Sequence, residues 1–172
     1  MPEARSIEAL TPFTVVVLRC GDQYLLLHRA TTKRLAPGKW CGVGGRIEPT
    51  ELGDLRASAL REVFEETGVH SSQVEAFALR RVLMVTRPAG PISVLLYYTG
   101  VLAEPIQTEC PEGTLHWVRE AEMTGLDFIG STRLAIPHLL ADERRDPHGL
   151  EPVRLGIARY AGDGSIEEPV WV

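Results

Sequence analysis

The sequence predicts a mixed α/β (α+β) protein in which antiparallel strands outnumber crossover helices. Three observations carry that expectation. Apolar, β-branched runs recur with turn residues between them, as in TPFTVVVLRC, ISVLLYYTGVLAE and RLGIARY. Between about Asp54 and Thr67 the apolar spacing changes to a helical period, and a second helical stretch follows from about Thr132 to Asp142. No internal repeat or rich linker interrupts the 172 residues, so one domain over 1–172 is expected, with a core of about 10–145 and a C-terminal hairpin of about 153–172.

Each element has a local reason. Residues 11–20 read as a buried strand, Gly21-Asp22 as a turn, and QYLLLHRA as the returning strand of a hairpin. TTKRLAPGKW is basic and carries Pro37-Gly38, which makes it a loop. CGVGGRIE is glycine-dense, with Val43 and Ile47 able to anchor a short bent strand. Leu55, Ala59, Leu60, Val63 and Phe64 form the apolar face of the first helix, and Gly68 supplies its stop. Gln73 to Thr86 and residues 92–104 are strand-like around the turn-rich TRPAGP at 86–91, and Thr114 to Arg119 is a short strand around Trp117. Leu134, Ile136, Leu139 and Leu140 define the second helix, with Pro137 placing its boundary in question. RLGIARY and SIEEPVWV flank Ala-Gly-Asp-Gly as a terminal hairpin.

Composition narrows the function. Hydrophobic residues at 44% and charged residues at 24% suit a soluble globular protein. A formal charge of -5 argues against a partner that is a nucleic acid polymer or an anionic membrane, but not against a phosphate-bearing small molecule held with a cation. Cys20, Cys41 and Cys110 lack paired metal-ligand spacing and read as free thiols of a reducing compartment. The first residues, MPEARSIEALTPF, have no apolar run for a leader, and no apolar run reaches 18 residues, so a cytoplasmic protein is expected.

The densest chemistry lies from Gly42 to Val69. Glu62, Glu65 and Glu66 fall at i, i+3 and i+4, on one side of a helix. Such like charges repel by roughly 0.2–0.5 kcal/mol per pair, which a solvated surface tolerates and a hard cation removes. A plain acidic helix end is the bland alternative. Gly44-Gly45, with Glu48 and Glu51, add carbonyls and carboxylates near the helix start and favour a metal site. There is no Gly-Lys-Ser/Thr triplet and no dinucleotide glycine spacing. His28, His70, His116, His138 and His148 are scattered, and neither Ser58 nor Ser131 has a nucleophile context, so zinc and serine chemistry are not expected.

This stretch closely resembles the signature box of the Nudix hydrolases, of MutT-like type. Gly45, five residues and Glu51 match the first half, and Arg61-Glu62-Val63-Phe64-Glu65-Glu66-Thr67-Gly68-Val69 matches the second. Nine residues separate Glu51 from Arg61 where the family has seven, an insertion that bears on Glu51 more than on the helix carboxylates. The order of elements over about 10–145 also resembles the whole Nudix fold, a mixed sheet sandwiched between helices.

The resemblance implies Mg2+-dependent hydrolysis, with Mn2+ as the alternative ion, of a nucleotide or nucleoside diphosphate conjugate. It implies Glu62, Glu65 and Glu66 as metal carboxylates, joined by a carbonyl of Gly44 or Gly45. Arg61, expected on a different part of the helix circumference from Glu65, would fix a carboxylate by an ion pair. Glu66 leads as general base, and Glu109 or Glu112 is the alternative acid from a later loop. Trp40 before the glycines is similar to members acting on oxidised purine triphosphates, and Trp117, Asp127 and Phe128 stand where such relatives build a base pocket. Trp117 as a core residue is the even alternative. Lys33, Arg34, Lys39 and Arg87 are candidates for phosphates, with surface solubility as the competing account, and at most one of Tyr97 and Tyr98 should reach a pocket. The implied activity is release of nucleoside monophosphate and pyrophosphate from a triphosphate. A conjugate substrate and a catalytically silent binding module are the alternatives, and monomer and homodimer both stay open.

Overall fold

A computed structural model of the protein describes residues 9–87, 90–163 and 165–172. Parts of the expected turns at 86–91 and 161–164, and the first eight residues, therefore lie outside the described ones.

The first strand, β1 (Leu10–Cys20), is apolar on both faces because both are covered: Val15 and Val17 join one core cluster, Val16 and Leu18 the other. It turns antiparallel into β2 (Gln23–Arg29), which also pairs with the short β3 (Trp40–Cys41) and with β6 (Gly113–Arg119). On its other edge β1 runs parallel to β5 (Ile92–Val101), itself antiparallel to β4 (Glu75–Thr86). The expected terminal hairpin, β7 (Arg154–Arg159) with β8 (Val170–Trp171), extends the sheet by parallel pairing of β7 with β4. Among the described residues the result is an eight-stranded mixed sheet in the order β3-β2-β1-β5-β4-β7-β8, with β6 on β2.

Among the described residues, one α-helix covers each face. Helix α1 (Leu55–Thr67) buries Ala59 and Val63 against Val16, Leu18 and Val43. Asp54 caps its start by accepting from Ala57 N–H at 3.0 Å, and Gly68, at φ +72°, closes its end by donating to the Phe64 carbonyl. Phe64 departs from its expected place on the apolar face. It is 46% exposed and packs on the His70 ring instead. Helix α2 (Gly130–Arg145) covers the other face and is longer than the sequence predicts, running straight through Pro137. An interior proline costs about 3 kcal/mol. Burying Leu134, Ile136, Leu139 and Leu140 returns roughly 1.5–3 kcal/mol each, so packing outweighs the proline. Among the described residues no helix is long and apolar enough to cross a membrane.

Candidate functional site

The glycine-rich approach lies between β1 and α1. Val43 and Val16 exchange backbone hydrogen bonds at 2.7 and 3.0 Å, and Thr14 N–H donates to the Gly45 carbonyl at 2.9 Å. A side chain at Gly44, whose φ is +142°, would run into the Thr14 carbonyl. A Cβ at Gly45 would stand 2.6 Å from a Glu62 carboxylate oxygen. Absence of side chains is what lets this loop touch both strand and helix.

The α1 acids then meet the loop in a definite order. Glu66 is only 5% exposed and accepts from Gly44 N–H at 2.8 Å. Burial pushes its carboxyl up to about 7 against the pull of that hydrogen bond, and the charges of Glu62 and Glu112 push the same way. Burial also raises Glu62. Arg61 binds Glu62 and Glu65, each at 2.9 Å. The expected separation of Arg61 from Glu65 is therefore corrected, since the i,i+4 spacing puts both on one side of the helix.

Glu51 reaches this cluster despite the longer spacer. Pro49–Glu51 form a 3-10 turn, Leu52-Gly53 carries the extra length, and Asp54 then opens α1. The Glu51 carboxylate accepts from Arg61 at 2.5 and 2.9 Å and from the Ser58 hydroxyl at 3.0 Å. Arg61, then the Glu48 backbone N–H, hold its carboxyl down at about 2.

A cleft of about 620 Å³ opens beside these groups. It is lined by Gly44, Gly45, Glu62, Glu65, Glu66, Glu112 and Arg87, so these sequence candidates share one space. Glu112 is paired there with Lys33 at 2.7 Å and Arg29 at 3.6 Å. The supposed base pocket is not assembled. Trp117 faces the α1 side of β6 and donates its indole N–H to the Ile106 carbonyl at 2.8 Å. Phe128 is buried in the opposite core cluster, while Asp127 and Lys39 pair with each other at 2.6 Å, and none of the four lines the cleft. Glu109 is not among the lining residues either, and Tyr97 and Tyr98 are both buried within the sheet, so neither reaches it.

Several lining residues carried no sequence signal. Thr14 comes from β1, Ser131 and Thr132 from the first turn of α2, and Tyr160 from the residue just after β7. Tyr160 lies against Arg87, whose guanidinium carbon is 4.5 Å from the ring centroid and whose Nη2 donates to the phenol oxygen at 3.2 Å. Only strand pairing brings these two together.

Among the described residues, no three His, Cys, Asp or Glu side chains converge as a ready-made metal cage. The donors on the α1 flank are nevertheless all oxygen, and Glu66 is a buried carboxylate with like-charged neighbours. That is the chemistry a hard cation favours, and Mg2+ in particular is held by one or two carboxylates plus waters and phosphates, without a full protein cage.

Comparison with known proteins agrees with the geometry. The sequence model of the family described as NUDIX domain matches residues 10–137. A MutT protein from Bacillus halodurans superposes with a TM-score of 0.68 at 21% identity, over 94% of this chain and 97% of that one. A MutT protein from Methanosarcina mazei Go1 gives 0.64 at 19%, over 82% and 100%. These likenesses concern the fold. A mouse protein, peroxisomal coenzyme A diphosphatase NUDT7, is 40% identical over 67 residues, 37% of this chain and 28% of the mouse protein. The chain thus matches little more than a quarter of that relative's length.

Proposed function

The chain belongs to the NUDIX domain family, and on that premise we propose that it is a divalent-metal-dependent pyrophosphohydrolase acting on a nucleoside triphosphate. The products are nucleoside monophosphate and pyrophosphate. One observation carries the reading: a buried Glu66 carboxylate, pushed up to about 7, stands with Glu62 and Glu65 on the wall of a cleft of about 620 Å³.

Divalent cations are typical cofactors of the family, and Glu62, Glu65, Glu66 and the Gly45 carbonyl are the groups here that would hold one. When bound, Mg2+ or Mn2+ supplies charge neutralisation at phosphate oxygens and a water of lowered pKa. Glu66, the most buried of the cleft carboxylates, serves either as a ligand of that cation or as the proton acceptor for a water beside it. Arg61 positions Glu51, Glu62 and Glu65 through its ion pairs. Glu112, also on the cleft wall, is the second carboxylate within the same space. Arg29 and Arg46, which line the cleft with the acids, offer charge to the phosphate chain.

The 67-residue match to a coenzyme A diphosphatase favours a second reading, hydrolysis of a nucleoside diphosphate conjugate. A panel of canonical and oxidised triphosphates, dinucleotide polyphosphates, coenzyme A and sugar conjugates, with Mg2+ and with Mn2+, separates the two. Triphosphate turnover with pyrophosphate release is expected, and isotopically labelled water locates the attacked phosphorus. Turnover confined to conjugates moves the assignment to the second reading, and no turnover of any compound overturns both.

A further inference from the structure

We propose that the small cavity where β4 meets the end of α2 binds a monatomic anion of the chloride class, held by the Arg80 guanidinium. This cavity shares no lining residue with the cleft, so the inference is independent of the hydrolase reading.

The backbone explains why positive charge gathers there. Leu79 pairs with Tyr98 and Arg81 with Tyr97, which makes Arg80 the extra residue of a β-bulge in β4. Consecutive side chains of a regular strand point to opposite faces, and a bulge re-aims one of them. Arg80 and Arg81 accordingly both reach the C-terminal end of α2, Arg80 at Asp146 and Arg81 at Asp142. Arg154 of β7 stands in register with Arg81, and Arg145 closes α2. Like charges on facing positions of neighbouring strands repel, so this convergence calls for anionic compensation.

The carboxylates nearby are already engaged. Asp142 accepts two bonds from Arg81, and Glu151 is gripped by Arg145 through both of its oxygens. Asp146 Oδ2 takes the Glu151 backbone N–H at 2.8 Å and stands 3.3 Å from Arg80 Nη1. Four guanidiniums, Arg80, Arg81, Arg145 and Arg154, thus meet three carboxylates. Arg80 is only 6% exposed. Its Nε donates to the Thr99 hydroxyl and its Nη1 to the Asp146 carbonyl, each at 2.7 Å. Its Nη2, with two N–H groups, is buried and has no partner among the described residues. A buried charged donor in that position points to an ion or a water beside it.

Size and charge choose between guests. The cavity is about 10 Å³ and is lined by Arg80, Arg145, Arg154, Asp146 and Glu151, among others. That is roughly the room of one water, which excludes phosphate, sulfate and organic acids. Water would accept from Nη2 and leave the surplus charge uncompensated, whereas a halide answers both. The ion would join β4, the end of α2 and the loop into β7, and so fasten the C-terminal hairpin to the sheet.

Crystals of the full chain grown with sodium bromide should show an anomalous peak in hydrogen-bonding contact with Arg80 Nη2. In solution, the melting temperature is compared in sodium chloride and sodium gluconate at equal ionic strength, gluconate being too large to enter. Above the dissociation constant, each tenfold rise in chloride should raise it by about 3–5 °C. Arg154→Gln, an exposed change that spares the core, should remove at least half of that chloride-specific shift, and Arg80→Met all of it. Crystals without a bromide peak at Arg80 overturn the proposal, as does a shift that survives Arg154→Gln in full. A bromide peak with equal melting temperatures in the two salts marks an adventitious ion only, and overturns it too.

Discussion

Arg61 grips both carboxylate oxygens of Glu51, at 2.5 and 2.9 Å, across a spacer two residues longer than the family pattern. The extra residues sit in Leu52-Gly53, ahead of the Asp54 cap, so α1 starts cleanly and its face is unaltered. The same guanidinium reaches Glu62 and Glu65, which ties the loop before the helix to the acids on it.

This pair sets an acid-stability limit. Arg61 holds the Glu51 carboxyl at about 2, below its ordinary 4.5. A depressed carboxyl contributes stability that is full above 4.5 and is lost as pH falls through about 2. Glu51→Gln should flatten that part of the profile when denaturation midpoints are followed from pH 6 to pH 2. Superimposable profiles for the two proteins would sink the idea.

Gly45→Ala should fold yet lose activity by about tenfold or more, the scale of a small misplacement in a reacting geometry. Its Cβ would stand 2.6 Å from the Glu62 carboxylate and force that side chain away from the loop. Full activity with an unchanged melting temperature would show that Glu62 does not need this position.

Glu66→Gln should lower turnover by about 100-fold or more while stabilising the metal-free protein. Burial raises the folded-state carboxyl from 4.5 to about 7, so its stabilising preference for the proton is present below 4.5 and lost as pH rises through about 7. Above that the wild type carries a buried charge that glutamine lacks. The melting-temperature difference should therefore grow from pH 5 to pH 8, reaching at most about 3 kcal/mol in stability. Equal melting temperatures at pH 8 would contradict it.

The hairpin that carries Tyr160 depends on a buried ion pair. Arg81 meets Asp142 of α2 through two bonds, at 2.6 and 2.9 Å, and lies over the Trp171 ring at 4.5 Å. Asp142→Ala leaves a buried guanidinium without this partner and should cost about 3–5 kcal/mol in chemical denaturation. Arg81→Met with Asp142→Leu should recover most of that loss, and a double variant as unstable as the single would refute a desolvation origin.

Trp117→Phe should leave base preference within about twofold and cost about 1 kcal/mol, the value of its bond to Ile106. A large change in the dGTP to dATP ratio would instead return Trp117 to the substrate.

The box helix was legible in the chain itself. Residues at i, i+3 and i+4 share a helix side whatever surrounds them, and Gly68 stops the helix by its own backbone freedom. The two glycines before it are also local, because close approach of a loop demands a missing side chain. Where Trp117 points was not legible, since a shift of one residue in strand parity exchanges the two faces of a sheet. Nor was the far wall of the cleft. Arg87 and Tyr160 are 73 positions apart, and they meet because β7 chose β4 as its parallel neighbour. That choice depends on α2, on the Arg81–Asp142 pair and on Trp171 packing together, all long-range terms that no local window contains.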